Sequence, residues 1–85
     1  MKKNVMPVQY KYKTSEYYLA AYLIAKNFGV PDIESDQYEP KKKIFAFNYT
    51  DKLEEEVNKF TAGTGLVSAL KFKHALTDLK SMIYR

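Results

Sequence analysis

The chain contains no cysteine and no tryptophan, and only one histidine, three glycines and three prolines in 85 residues. Without cysteine there is neither a disulfide framework nor a thiolate metal site. A reducing compartment fits that absence, and a cytoplasmic location is expected. The single histidine, His74, cannot build a metal site alone. Asp78 lies at i+4 and can orient its imidazole, but the pair is read as a half-exposed helix residue with a surface partner. The scarcity of glycine leaves no phosphate-cradling loop. Ala62-Gly-Thr-Gly65 is too short, has no lysine after it and suits a turn between helices. No serine, threonine or lysine has a base at a spacing that suggests an activated nucleophile. The expectation is a protein that is not an enzyme and binds no cofactor.

Long hydrophobic runs are scarce too. Val5-Met-Pro-Val8 is too short to serve as the core of a signal peptide. The longest run, Tyr17 to Ala25, is about half of a membrane span. No membrane partner is expected. A chain of this length forms one domain and buries only ~60–65% of its unfolded surface. Residues 8–85 are assigned to that domain, and residues 1–7 to a flexible N-terminus.

What the chain does have is tyrosine and clustered charge. There are eight tyrosines, each offering apolar area with a polar tip. The net charge of +4 is unevenly spread. Residues 1–13 carry four lysines and no acid, and residues 32–39 carry four acids and no base. Lys41, Lys42 and Lys43 follow directly. Residues 51–56 are mainly acidic, and residues 71–85 mainly basic.

The apolar run is also the best helix. Nine apolar residues in succession cover every side of a helix, so this one belongs at the centre of the domain. Thr14 or Ser15 is expected to cap it. Gly29 and Pro31 end it, giving a helix over about Ser15–Phe28. Before it, Val8–Lys13 alternates as an edge strand, with Val8, Tyr10 and Tyr12 facing inward. After it, Asp32–Tyr38 reads as a weak strand, Glu39-Pro40-Lys41 as a turn, and Lys42–Tyr49 as the strongest strand. Phe45, Phe47 and Tyr49 should share one face, with Ile44 and Ala46 on the other. The two strands are expected to pair as an antiparallel hairpin.

Asp51 and Glu54 resemble a capping box for a second helix that runs to Ala62. Leu53, Val57 and Phe60 form its apolar stripe, and Glu55 pairs with Lys59 on its outer side. Gly63 and Gly65 separate it from a third helix, capped by Ser68 and running to about Met82. That helix buries Phe72, Ala75, Leu76, Leu79, Met82 and Ile83. The fold class is therefore α+β. The order is β-α-β-β-α-α, with a two- to three-stranded antiparallel sheet packed on helices. The first helix should lie between the sheet and the other two.

The segment Tyr12-Lys-Thr-Ser-x-x-Tyr-Leu-Ala-Ala-Tyr-Leu-x-Ala25 resembles the start of a family of short, uncharacterised bacterial and phage proteins. Ile44-Phe-Ala-Phe47, Leu53-Glu-Glu-Glu-Val57 and Phe72-x-x-Ala-Leu-x-x-Leu-Lys80 are similar to later parts of that family. The resemblance covers about residues 10–84 and implies a phage or mobile-element setting. It transfers no functional residues. The basic stretch between Glu39 and Lys43 departs from the family's pattern.

Three constellations invite a function. Asp32, Glu34 and Asp36 alternate, so they would share a strand face that suits a hard cation or simply discourages sheet-edge pairing. Pro31-Asp32 with Glu39-Pro40-Lys41 resembles the Pro-Asp…Glu-x-Lys signature of a nuclease superfamily. Here only six residues separate Asp32 from Glu39, and Pro40 holds the Glu and Lys in a turn. The third constellation is Lys41, Lys42 and Lys43 beside Phe45 and Phe47. It reads as a solvated turn over a core strand, or as a basic hairpin with aromatic platforms for nucleic acid. In the second reading Lys11, Lys13, Lys71 and Lys73 add phosphate contacts. The alternative is a protein-interaction module: a modulator of a host or phage protein, or a homodimer.

Overall fold

The computed structural model describes residues 10–84. They form β1 (Lys11–Thr14), α1 (Tyr17–Ala25), β2 (Asp32–Ser35), β3 (Lys43–Asn48), α2 (Asp51–Ala62) and α3 (Ala69–Ile83). The sheet is antiparallel throughout, in the order β1-β3-β2. β3 has the strongest strand composition and takes the centre. Tyr12 faces Phe47, and Ile33 faces Phe45. These four side chains line the inner face of the sheet.

Helix α1 fills the middle, packed on β1, α2 and α3. Leu19, Ala20, Ala21, Tyr22, Leu23 and Ala25 are all buried, as an unbroken apolar run requires. Leu23 of α1, Leu53 of α2 and Leu79 of α3 are each 0% exposed and join one cluster with Phe45 and Phe47. Each fully buried leucine contributes roughly 1.5–3 kcal/mol.

Several boundaries depart from the expectations. Glu16 caps α1, not Thr14 or Ser15, and its carboxylate accepts from the Tyr18 N–H at 3.0 Å. Thr14 is still paired in β1 opposite Phe45, so it cannot begin the helix. Its hydroxyl instead accepts from the Glu16 N–H at 3.0 Å. The helix also stops at Ala25, short of Phe28. Asn27 takes the left-handed conformation (φ 72°). The Phe28 N–H bonds the Leu23 carbonyl at 3.1 Å, and the Asn27 N–H bonds that of Ile24 at 2.9 Å. This is a Schellman closure, with asparagine in the position expected for glycine.

β1 is displaced along the chain, to Lys11–Thr14. Tyr10 is 74% exposed rather than inward, and Val8 lies outside the described residues, as do residues 1–7. β2 ends at Ser35, because the Asp36 carboxylate accepts from the N–H groups of Tyr38 and Glu39 and turns the chain. A Lys42 N–H to Glu39 carbonyl bond of 2.8 Å closes the tip over Pro40. Tyr49 lies just past β3, is 38% exposed, and donates its hydroxyl to Glu54. At α2 the cap is Thr50, whose Oγ1 accepts from the Leu53 N–H at 3.0 Å; Asp51 is the first helical residue. Gly63 (φ 79°) ends α2 in the expected left-handed turn. Ser68 caps α3 as expected.

Candidate functional site

The alternation of β1 sends Lys11 and Lys13 to the outer face of the sheet. The alternation of β2 sends Asp32 and Glu34 to the same face. The two edge strands flank β3, so each lysine reaches across the centre to a carboxylate. Lys11 Nζ lies 3.6 Å from Asp32 and 2.7 Å from the Asn48 side-chain oxygen, and Lys13 Nζ lies 3.1 Å from Glu34. Ala46 sits on this face, opposite Lys13, and is only 2% exposed. A larger residue there would obstruct the crossing side chains. Lys11 and Lys13 thus work locally against acids that sequence separation had kept apart.

The other lysines divide between two places. Lys41 and Lys42 are exposed at the hairpin tip, and Lys43 is half-buried at its base. Lys71, Lys73 and Lys80 are exposed on α3. None of these six makes an ion pair with a described residue. Phe45 and Phe47, the expected platforms beside the tip, are each 2% exposed and belong to the core. Lys71 and Lys73 lie on different flanks of α3. Lys71 borders a depression with Ile24, Ala25, Asn27, His74 and Asp78. Lys73 projects, by helical spacing, on the flank of Leu76 and Lys80.

That second flank carries the exposed aromatics. Tyr17, Tyr18, Leu76, Thr77 and Lys80 line an open groove of ≈ 560 Å³ between α1 and α3. Tyr17 donates to the Leu76 carbonyl at 3.0 Å. Burial and the neighbouring hydroxyls of Tyr18 and Tyr84 raise its pKa. The Tyr18 ring meets the Tyr17 ring edge-on at 5.5 Å and stacks with Phe72 at 6.5 Å. Tyr18 nevertheless remains 56% exposed.

The acidic constellations disperse. Asp36 is consumed by its own turn, while Asp32 and Glu34 face lysines. Among the described residues, no group of three His, Asp or Glu side chains is placed to hold a metal ion. Asp32 opens β2, whereas Glu39 and Lys41 lie beyond its far end, so the nuclease-like residues do not converge.

One polar centre has no counterpart in the sequence reading. Glu56 is 4% exposed within the α2 stripe. It accepts from the Tyr22 hydroxyl at 2.7 Å and lies 3.7 Å from Lys26 and 3.5 Å from Lys59. The Tyr22 bond, opposed by burial and helped by the two lysines, holds its carboxyl below the usual range. Burial and the same bond push Tyr22 up to about 12. Lys26 also donates to the Leu66 carbonyl at 3.1 Å, which ties the α2–α3 loop to α1. The expected Glu55–Lys59 pair is replaced: Lys59 turns to Glu56, and Glu55 pairs with Lys52 at 3.6 Å. The available signal was Glu56 itself, three residues after Leu53 and therefore on the apolar stripe.

The architecture defines a small α+β domain of three antiparallel strands and three helices. Residues 9–85 match a family described as a domain of unknown function, DUF5659, and the chain belongs to that family. No curated protein and no solved structure matches it. No helix among the described residues is long and apolar enough to cross a membrane.

Proposed function

We propose that this domain is a non-catalytic module that binds nucleic acid, acting as an accessory protein of a phage or mobile element. The observation that supports it is the division of the lysines. Lys11, Lys13, Lys26, Lys52 and Lys59 are matched to carboxylates inside the fold. Among the described residues, Lys41, Lys42, Lys43, Lys71, Lys73 and Lys80 have no such partner. These are the charges free to displace counterions from phosphate. Lys11 and Lys13 contribute at the sheet face only where a phosphate competes with Asp32 and Glu34. The setting rests on the sequence resemblance alone.

The test is binding of labelled oligonucleotides against salt. Replacing Lys41, Lys42 and Lys43 together with alanine should weaken binding by about tenfold or more at low salt and flatten its salt dependence. Unchanged binding would reject a role for the hairpin.

A second reading, as a protein-interaction module, draws on different residues. Leu66, in the α2–α3 loop, and Leu70, in the first turn of α3, are 82% and 59% exposed. Exposed leucines on a surface suit a host or phage protein, or a second copy of the chain. Leu66→Ser with Leu70→Ser should abolish any self-association seen by light scattering.

A further inference from the structure

We infer that the groove between α1 and α3 is a single-strand-specific site, in which a nucleobase stacks on Tyr18 while the adjoining phosphates meet Lys73 and Lys80. This rests on the nucleic-acid reading above and names the form of nucleic acid and the surface that selects it.

The argument begins with how Tyr18 is held. An exposed tyrosine on a helix ordinarily samples several rotamers. Tyr18 instead makes a T-shaped contact with the Tyr17 ring, centroids 5.5 Å apart, and an offset stack with Phe72, centroids 6.5 Å apart at an interplanar angle of 25°. Tyr17 is itself fixed by its bond to the Leu76 carbonyl. Two aromatic neighbours therefore restrain the Tyr18 ring, while more than half of the residue remains open to solvent. Such a ring loses little further freedom when a flat partner stacks on it.

The charge around the groove then selects the partner. Lys80 lines it, and Lys73 lies two turns away on the same flank of α3. The only acid of α3, Asp78, projects on the opposite flank, with Lys71 and His74. Glu16, at the mouth of α1, is occupied in capping Tyr18's own N–H. Tyr84 extends the aromatic surface at the end of α3, 79% exposed. Tyrosine faces between lysines match the alternation of bases and phosphates in an unpaired strand. A duplex keeps its bases stacked on one another and cannot offer one to Tyr18.

The experiment compares a fluorescein-labelled 20-mer of dT with a duplex of equal length, on the whole chain and four variants. Tyr18→Leu should weaken dT binding about tenfold with its salt slope unchanged. Tyr18→Phe should retain binding, which separates stacking from a folding defect. Lys73→Gln with Lys80→Gln should lower the salt slope by about 1.4, since each phosphate contact on a single strand contributes about 0.7. The duplex should bind at least about tenfold more weakly than the single strand. If dT binding survives Tyr18→Leu but is lost with the Lys41, Lys42 and Lys43 replacements, the groove assignment is overturned and the nucleic-acid reading stands. If neither oligonucleotide binds at low salt, both are overturned.

Discussion

The Lys13 ammonium lies 3.1 Å from the Glu34 carboxylate, across the central strand of the sheet. With the Lys11–Asp32 pair beside it, this converts a basic strand and an acidic strand into one balanced surface. The described residues carry eleven lysines and ten acids, so most of the chain's +4 charge resides in Lys2, Lys3 and Arg85. The described domain is therefore close to neutral overall. Its lysines without a described carboxylate partner lie at the hairpin and on α3.

The first prediction concerns that balance. Asp32→Asn with Glu34→Gln releases Lys11 and Lys13 and raises the net charge by two. Affinity for oligonucleotides at low salt should rise several-fold, and its salt slope should steepen. Both pairs are exposed, so unfolding stability should change by less than about 1 kcal/mol. Salt titrations and urea melts of the same variant measure the two effects separately.

The second concerns the polar centre in the helical layer. Glu56→Ala removes the acceptor of the buried Tyr22 hydroxyl and leaves it without its strongest partner. The cost should be about 1–3 kcal/mol in urea unfolding. Tyr22→Phe removes the donor and leaves the carboxylate two lysines, so it should cost less.

The same centre sets a pH dependence. The Glu56 carboxyl is lower in the folded chain than in the unfolded one, so its contribution is complete above the ordinary carboxylate range. It is lost as pH falls through its folded value. Tyr22 is raised, to about 12, so its contribution is complete below the ordinary tyrosine value of about 10 and is lost as pH rises from there towards 12. Wild-type stability should decline at both ends, and Glu56→Gln should flatten the acidic limb. An acidic limb identical in wild type and variant would contradict the assignment.

The fourth concerns Gly65. A Cβ built there would lie 2.5 Å from the Tyr22 hydroxyl and 2.8 Å from its ring carbon. Tyr22 is buried and held by Glu56, so it has little room to withdraw. Gly65→Ala should destabilise the protein by about 1–3 kcal/mol. Gly65→Ala in a Tyr22→Phe background should cost less, because the nearest clashing atom is gone.

Local chemistry makes much of the fold legible in the sequence. The apolar run Tyr17–Ala25 had only one stable place, the centre, and it is there. The alternation around Phe45 and Phe47 identified the middle strand, and Leu53, Val57 and Phe60 identified the inner side of α2. The element ends were harder, because rival residues can perform the same task. Glu16 rather than Thr14 caps α1, and Asn27 rather than Gly29 ends it. Those choices depend on where the neighbouring strand stops pairing. The candidate site was less legible still. Which acids face Lys11 and Lys13 depends on a register across three strands, and Tyr18's support comes from Phe72, 54 positions along. A sequence read one residue at a time contains neither relation.

The measurement that tests the central claim most directly is equilibrium binding of labelled single- and double-stranded oligonucleotides, titrated from low to physiological salt. Binding at micromolar concentration or below, falling steeply as salt rises and weakened by the Lys41, Lys42 and Lys43 replacements, is the predicted result. Absence of binding to every oligonucleotide at low salt would contradict it and turn attention to the Leu66 and Leu70 surface.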